Sequence, residues 1–175
     1  REVLEKAQAE LIDYRGLGYS ILETSHRSPE YEAINAGAEA NLRKILGIGD
    51  AYEVLFLQGG ASLQFAMVPM NLGVPGKPMV YANTGTWAGK AISEAKLFGT
   101  VELMYDGKPG KFAAIGHCEE WQVRQDAAYA YVCSNNTIYG TQYHSFPDAG
   151  AVPLVADMSS DFASRRVDVS RFGLI

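Results

Sequence analysis

Short apolar runs alternate with helix-length segments along this 175-residue chain, and most runs end in a cluster of small polar residues. The runs are "EVLFLQGG", "MVYAN", "TVELMYD", "AYAYVCSNN" and "VPLVADMSS". The segments between them carry a helical apolar period, which predicts an α/β domain with a mostly parallel sheet and helices on both faces. A first helix spans residues 1–14, with Val3, Leu4, Ala7, Leu11 and Ile12 on one face. A second starts at Ser28, with Pro29 at its first position and Gly47 closing it. Helices follow in "ASLQFAMVPMNL" and "TWAGKAISEAKLFG", and a short one is expected in "HCEEWQVRQ". The hydrophobic share, 47%, suffices for the core of one domain.

In such sheets ligands gather at the carboxyl ends of the strands. Four polar turns should therefore open onto one rim: Gly59-Gly60-Ala61-Ser62, Asn83-Thr84-Gly85-Thr86-Trp87, Ser134-Asn135-Asn136-Thr137 and Asp157-Met158-Ser159-Ser160. The glycine turn precedes a helix, so its N–H groups suit an anion such as a phosphate; a plain tight turn reads equally well. It is neither a Walker A loop nor a G-x-G-x-x-G fingerprint. Trp87 suits stacking on a flat ring, or simply the core. Thr137 suits a ligand oxygen, or its own turn. Asp157 ends an apolar strand, where a carboxylate needs N–H donors or a cation. A capping role satisfies that need, and so does a protonated heteroaromatic nitrogen. Phosphate, flat ring and protonated ring nitrogen together describe pyridoxal phosphate.

Other chemistries are less well served. A net charge of -5 and the lack of clustered lysine and arginine, beyond Arg165-Arg166, argue against nucleic acid or an anionic membrane. Cys118 and Cys133 make neither a disulfide framework nor a zinc knuckle, and Cys133 is expected buried at a strand end. His26, His117 and His144 lack metal-ligand spacing, so no metal is expected. There is no G-x-S-x-G elbow. No apolar stretch approaches the roughly 20 residues a membrane span needs, and the expectation is a soluble, cytoplasmic protein. The chain begins without Met, in a helix, and ends on "DVSRFGLI", the start of an apolar run; it reads as a segment of a longer protein.

"SHRSPEY", "VLFLQGGASLQFAMVPMNL", "YANTGTWAGKAISEAKLFG", "YVCSNNTIYGT" and "LVADMSSDFASRRVDVSRFGLI", in this order, resemble the phosphoserine aminotransferase family. That family lies in the class V branch of fold-type I pyridoxal-phosphate enzymes. The resemblance implies that Ala61 and Ser62 hold the cofactor phosphate and that Trp87 stacks on its ring. It implies that Thr137 bonds near the phenolic oxygen and that Asp157 pairs with the pyridinium nitrogen. His26 and Arg27 would meet the anionic groups of the substrate. The implied reaction moves an amino group from L-glutamate to 3-phosphohydroxypyruvate, in serine biosynthesis, within a homodimer. Residues 1–175 would then be an incomplete large domain. The small C-terminal domain would be absent, and the lysine that anchors the cofactor as a Schiff base would lie a few residues past Ile175. On this reading the segment alone is inactive. Leu63 departs from the small or polar residue that many relatives carry. The alternatives are another class V enzyme, or a non-catalytic α/β module that binds a phosphorylated ligand.

Overall fold

The computed structural model describes residues 1–175 as two units, Arg1–Val54 and Leu55–Ile175. The first unit holds helices α1 (Glu2–Ile12) and α2 (Pro29–Leu46). Helix α2 begins as its sequence dictates: Ser28 Oγ accepts from the Tyr31 N–H at 3.2 Å, and Pro29 occupies the first turn. It ends at Gly47, in the left-handed region with φ 66°. Arg43 secures the turn beyond, pairing with Glu39 at 2.8 Å and donating to the carbonyls of Gly49 and Tyr52 at 3.2 and 3.0 Å. The apolar face expected on α1 is exposed, Leu4 at 74% and Ile12 at 81%.

The second unit runs through α3 (Gly60–Leu72), β1 (Met79–Asn83), α4 (Thr86–Ala95), β2 (Val101–Asp106) and β3 (Tyr129–Cys133). A hairpin of β4 (Asn135–Asn136) and β5 (Thr141–Gln142) follows, then β6 (Leu154–Asp157). Strands β2-β1-β3-β6 form one sheet in that order, every pair parallel. This is the α/β architecture that the alternation of strands and helices predicted.

The two-residue period of a strand sorts the side chains. Tyr81, Tyr129, Tyr131, Cys133 and Val155 pack on the side of α3 and α4. Val80, Ala82, Ala130, Val132, Leu154 and Ala156 pack on the other side. Large tyrosines on the helix side meet Ala88, Ala91 and Ala95 of α4, so a small-residue stripe lets the helix lie close on an aromatic layer. Within this unit the second face is covered by irregular segments instead of helices: Ile115, Cys118, Val123, Tyr143, Phe146 and Phe172 close it.

Two local expectations are corrected. "EVLFL" forms no strand: Leu55, Phe56 and Leu57 are 70%, 54% and 50% exposed, and no neighbouring strand offers them a hydrogen-bond ladder. "HCEEWQVRQ" is reduced to one 3-10 turn, Cys118–Glu120. There tertiary packing overrides local preference, because Trp121 stacks on Tyr105 with ring centroids 4.5 Å apart.

Candidate functional site

Parallel pairing sets the carboxyl ends of the strands level. Asn83 of β1 pairs with Asp106 of β2, and Cys133 of β3 pairs with Asp157 of β6. The turns leaving β1, β3 and β6 therefore share the rim of the sheet, about 4.8 Å apart from strand to strand.

Asp157 is half-buried at the end of β6. Being two residues beyond Val155, it shares the helix side of the sheet with Tyr131, whose own register partner is Val155. That diagonal lets the Tyr131 hydroxyl donate to Asp157 Oδ2 at 3.2 Å. Oδ1 receives two donors from Ser159, the N–H at 3.0 Å and Oγ–H at 2.6 Å. A carboxylate offers about four acceptor directions, and these three bonds leave one free on Oδ2. Capping of the next turn, the modest reading of Asp157, is thus present and still leaves one acceptor direction unused.

Trp87 stands in the first turn of α4, and Thr137 follows β4. The Trp87 Nε1–H donates to Thr137 Oγ1 at 2.9 Å. With its oxygen accepting from the indole, the Thr137 hydroxyl keeps its own proton for another acceptor. The Lys90 ammonium lies 4.6 Å from the Trp87 ring centroid. Gly85 precedes α4 with almost no space beside it: a Cβ would meet the Tyr139 ring at 3.0 Å and Asn136 Oδ1 at 3.1 Å.

The glycine turn opens α3. Gly59 has φ 93°, and a Cβ on it would collide with Leu63, so only glycine fits this entry. The N–H groups of Gly60, Ala61 and Ser62 lie in the first turn, where no intrahelical carbonyl reaches them. Helix α3 packs against α4, and Ser62, Thr86, Gly89 and Lys90 line a groove of about 470 Å³ between them. A slightly larger hollow of about 510 Å³, near Lys77, Glu102 and Arg124, lies at the amino ends of the strands. Its Arg124 is already engaged by Glu102 and Asp126, and the chemistry-bearing side chains are at the opposite pole.

Sequence reasoning missed Tyr131 and Asp161. Asp161 is buried and accepts from Ser134 Oγ, from Gln142 Nε2 at 3.0 Å and from Arg165 at 3.5 Å. The Ser134 N–H meanwhile donates to the Asp157 carbonyl at 3.0 Å. The hairpin and the Asp157 turn are thereby fastened together. The spacing of Asp161 and Arg165, i and i+4, was the readable signal; the pairing of Tyr131 needed strand register. Burial, with the Asp157 charge beside it, pushes the Cys133 thiol up to about 12, which makes it a packing residue.

His26 and Arg27 belong to the first unit, in an exposed turn where the Arg27 N–H donates to Ser25 Oγ at 3.2 Å. The structure brings Trp87 and Thr137 into contact, and Ser62 lies in the groove beside Thr86 and Lys90. His26 and Arg27 are described with their own unit only.

Residues 1–174 match the family described as aminotransferase class-V. A phosphoserine aminotransferase of Azotobacter vinelandii is 53% identical over 173 residues, which are 99% of this chain and 48% of that protein. One from Campylobacter jejuni is 52% identical over 174 residues, 99% of this chain and 47% of its own. Among solved structures, the phosphoserine aminotransferase of Bacillus circulans subsp. alkalophilus superposes with a TM-score of 0.95 at 47% identity, covering 99% of this chain and 48% of that one. The PLP-bound phosphoserine aminotransferase of Trichomonas vaginalis gives 0.88 at 36% identity, covering 99% and 49%. The chain spans about half the length of the curated relatives it matches.

Proposed function

As the chain belongs to the class-V aminotransferase family, we propose that it supplies most of the cofactor pocket of a pyridoxal 5'-phosphate-dependent phosphoserine aminotransferase. The intact enzyme transfers an amino group from L-glutamate to 3-phosphohydroxypyruvate in serine biosynthesis. It works as a cytoplasmic homodimer, and the small domain and the cofactor-anchoring lysine are contributed by the rest of the protein. The observation that carries this reading is Asp157, a half-buried carboxylate at a strand end with one acceptor direction left unused.

The donor set suits this cofactor. The free N–H groups of Ala61 and Ser62 and the positive end of the α3 dipole hold its phosphate. Trp87 offers an indole face for the ring, and the Thr137 proton meets the phenolic oxygen. With the cofactor bound, Asp157 would keep a proton on the ring nitrogen, because a neighbouring opposite charge favours the charged form. When bound, the cofactor supplies an electron sink for the carbanion left by loss of the substrate α-proton. His26 and Arg27 receive the substrate's carboxylate and phosphate, Arg27 through its planar fork.

The test is Asp157→Asn in the full-length enzyme, with turnover measured from L-glutamate to phosphoserine and folding followed by circular dichroism. Turnover should fall about a thousandfold with the fold retained, in line with the loss of a preorganised charge partner. Turnover equal to the wild type would remove Asp157 from the reaction. A different preferred amino acceptor in the wild type would move the enzyme elsewhere within class V.

A further inference from the structure

Asp157 is held from two sides, and only one hold is local. Ser159, two residues on, saturates Oδ1 with two donors. Oδ2 is reached from the neighbouring strand by the Tyr131 hydroxyl at 3.2 Å, and it is the oxygen with a direction still open. Two anchors on different oxygens fix the plane of a carboxylate; one leaves it free to turn about the Cβ–Cγ bond.

Resting on the proposed reading of Asp157, we infer that Tyr131 is a positioning residue, whose hydroxyl orients Oδ2 toward the cofactor's ring nitrogen and tunes the strength of that contact.

The surroundings of Tyr131 are built for such a role. Its ring is 3% exposed and stacks on Tyr81 with centroids 4.8 Å apart, so the hydroxyl cannot swing away. Burial, with the Asp157 charge as a further cause, holds its ionisation well above the usual tyrosine range, so it stays a donor. Tyr81 and Tyr129 are occupied with each other, hydroxyl to hydroxyl at 2.6 Å, and the Tyr129 proton points to Met79 Sδ at 3.3 Å. Of the three clustered tyrosines, only Tyr131 bonds the carboxylate. Its donation also draws charge from the oxygen that would meet the ring nitrogen, so the strength of that contact depends on it.

The test uses full-length enzyme reconstituted with ring-15N-labelled pyridoxal phosphate. It reads the nitrogen chemical shift and the cofactor dissociation constant in Tyr131→Phe, Tyr129→Phe and Asp157→Asn. Tyr131→Phe should displace the nitrogen signal and weaken cofactor binding about fivefold to tenfold, the scale of one ordinary hydrogen bond, because the hydroxyl acts on the cofactor only through Asp157. Tyr129→Phe removes an equally buried hydroxyl from the same cluster without touching Asp157 and should leave both readouts in place. If Tyr131→Phe does not fold, 3-fluorotyrosine at position 131, nearly isosteric and a stronger donor, should move the signal in the opposite direction from hydroxyl loss. Two results would overturn the inference: a wild-type signal and affinity in Tyr131→Phe, or in its place an unmoved signal with fluorotyrosine, and an equal displacement in Tyr129→Phe. Asp157→Asn separates the levels. If it displaces the signal and Tyr131→Phe does not, only the role of Tyr131 fails; if it does not, the reading of Asp157 fails with it.

Discussion

Trp87 and Thr137, 50 residues apart in sequence, are joined by an indole N–H to hydroxyl bond of 2.9 Å that pins α4 to the β4–β5 hairpin. Thr137→Val keeps the shape of the side chain and removes the acceptor. It should cost about 1 kcal/mol of unfolding free energy, while Thr137→Ser should cost less because it keeps the hydroxyl. Urea unfolding of both variants measures the difference.

Gly59 and Gly60 both have positive φ, at 93° and 58°, but only Gly59 lacks space. Gly60→Ala meets nothing within 4 Å, so it should show the bare backbone penalty of about 1–2 kcal/mol. Gly59→Ala should cost more, because its Cβ runs into Leu63. Adding Leu63→Ala to Gly59→Ala should recover only part of the excess, because Leu63 Cβ itself would lie 2.6 Å from the new methyl, and none of the backbone share. Thermal denaturation of the three variants reads out the order.

Asp161 gathers three donors on one buried carboxylate. Asp161→Ala leaves Ser134, Gln142 and Arg165 without that acceptor, and should destabilise the protein by about 3 kcal/mol. Asp161→Asn, which retains one carbonyl oxygen, should cost less. The same denaturation series distinguishes them, and equal stability of wild type and Asp161→Ala would contradict the clasp.

The tyrosine layer predicts an alkaline limit to stability. Burial is the main cause that lifts Tyr129 to about 12 and Tyr81 further still, against an unfolded value near 10. A raised folded value means that the unfolded chain gives up these protons first. The contribution is therefore complete below about pH 10 and is lost as pH climbs through 12. Tyrosinate absorbance of the buried tyrosines should appear together with loss of secondary structure, and after that of the exposed ones.

Both thiols are raised by burial, Cys133 to about 12. Neither should react with iodoacetamide near neutral pH until denaturant is added, and a mass measurement of the treated native protein should show no adduct.

Much of this architecture was legible in the sequence, because the features that encode it are local. Pro29 and Gly47 bound α2 through backbone geometry, and the apolar runs of β1, β3 and β6 mark strands buried on both faces. The rim could be anticipated because parallel strands must all end on one side. What stayed hidden depends on partners distant in sequence. Leu55–Leu57 has the composition of a strand, yet strand structure is a property of pairs, and these residues have no pair. Tyr131 reads as one more apolar core residue until register sets it diagonal to Asp157. Arg27 and His26 carry no local signal of function beyond the helix start beside them, and only the family resemblance singled them out.

Ser134 fastens the Asp157 turn with its N–H and the Asp161 turn with its hydroxyl. One residue thus couples the end of β3 to the turn that follows β6, residues 157–162, which its own backbone bonds to the Met158 carbonyl already close. Their amide protons should exchange with solvent as a cooperative group. The ordering of these turns is complete when the domain folds, so a ligand arriving at the rim forfeits little chain entropy there, and its affinity follows mainly from the contacts it makes.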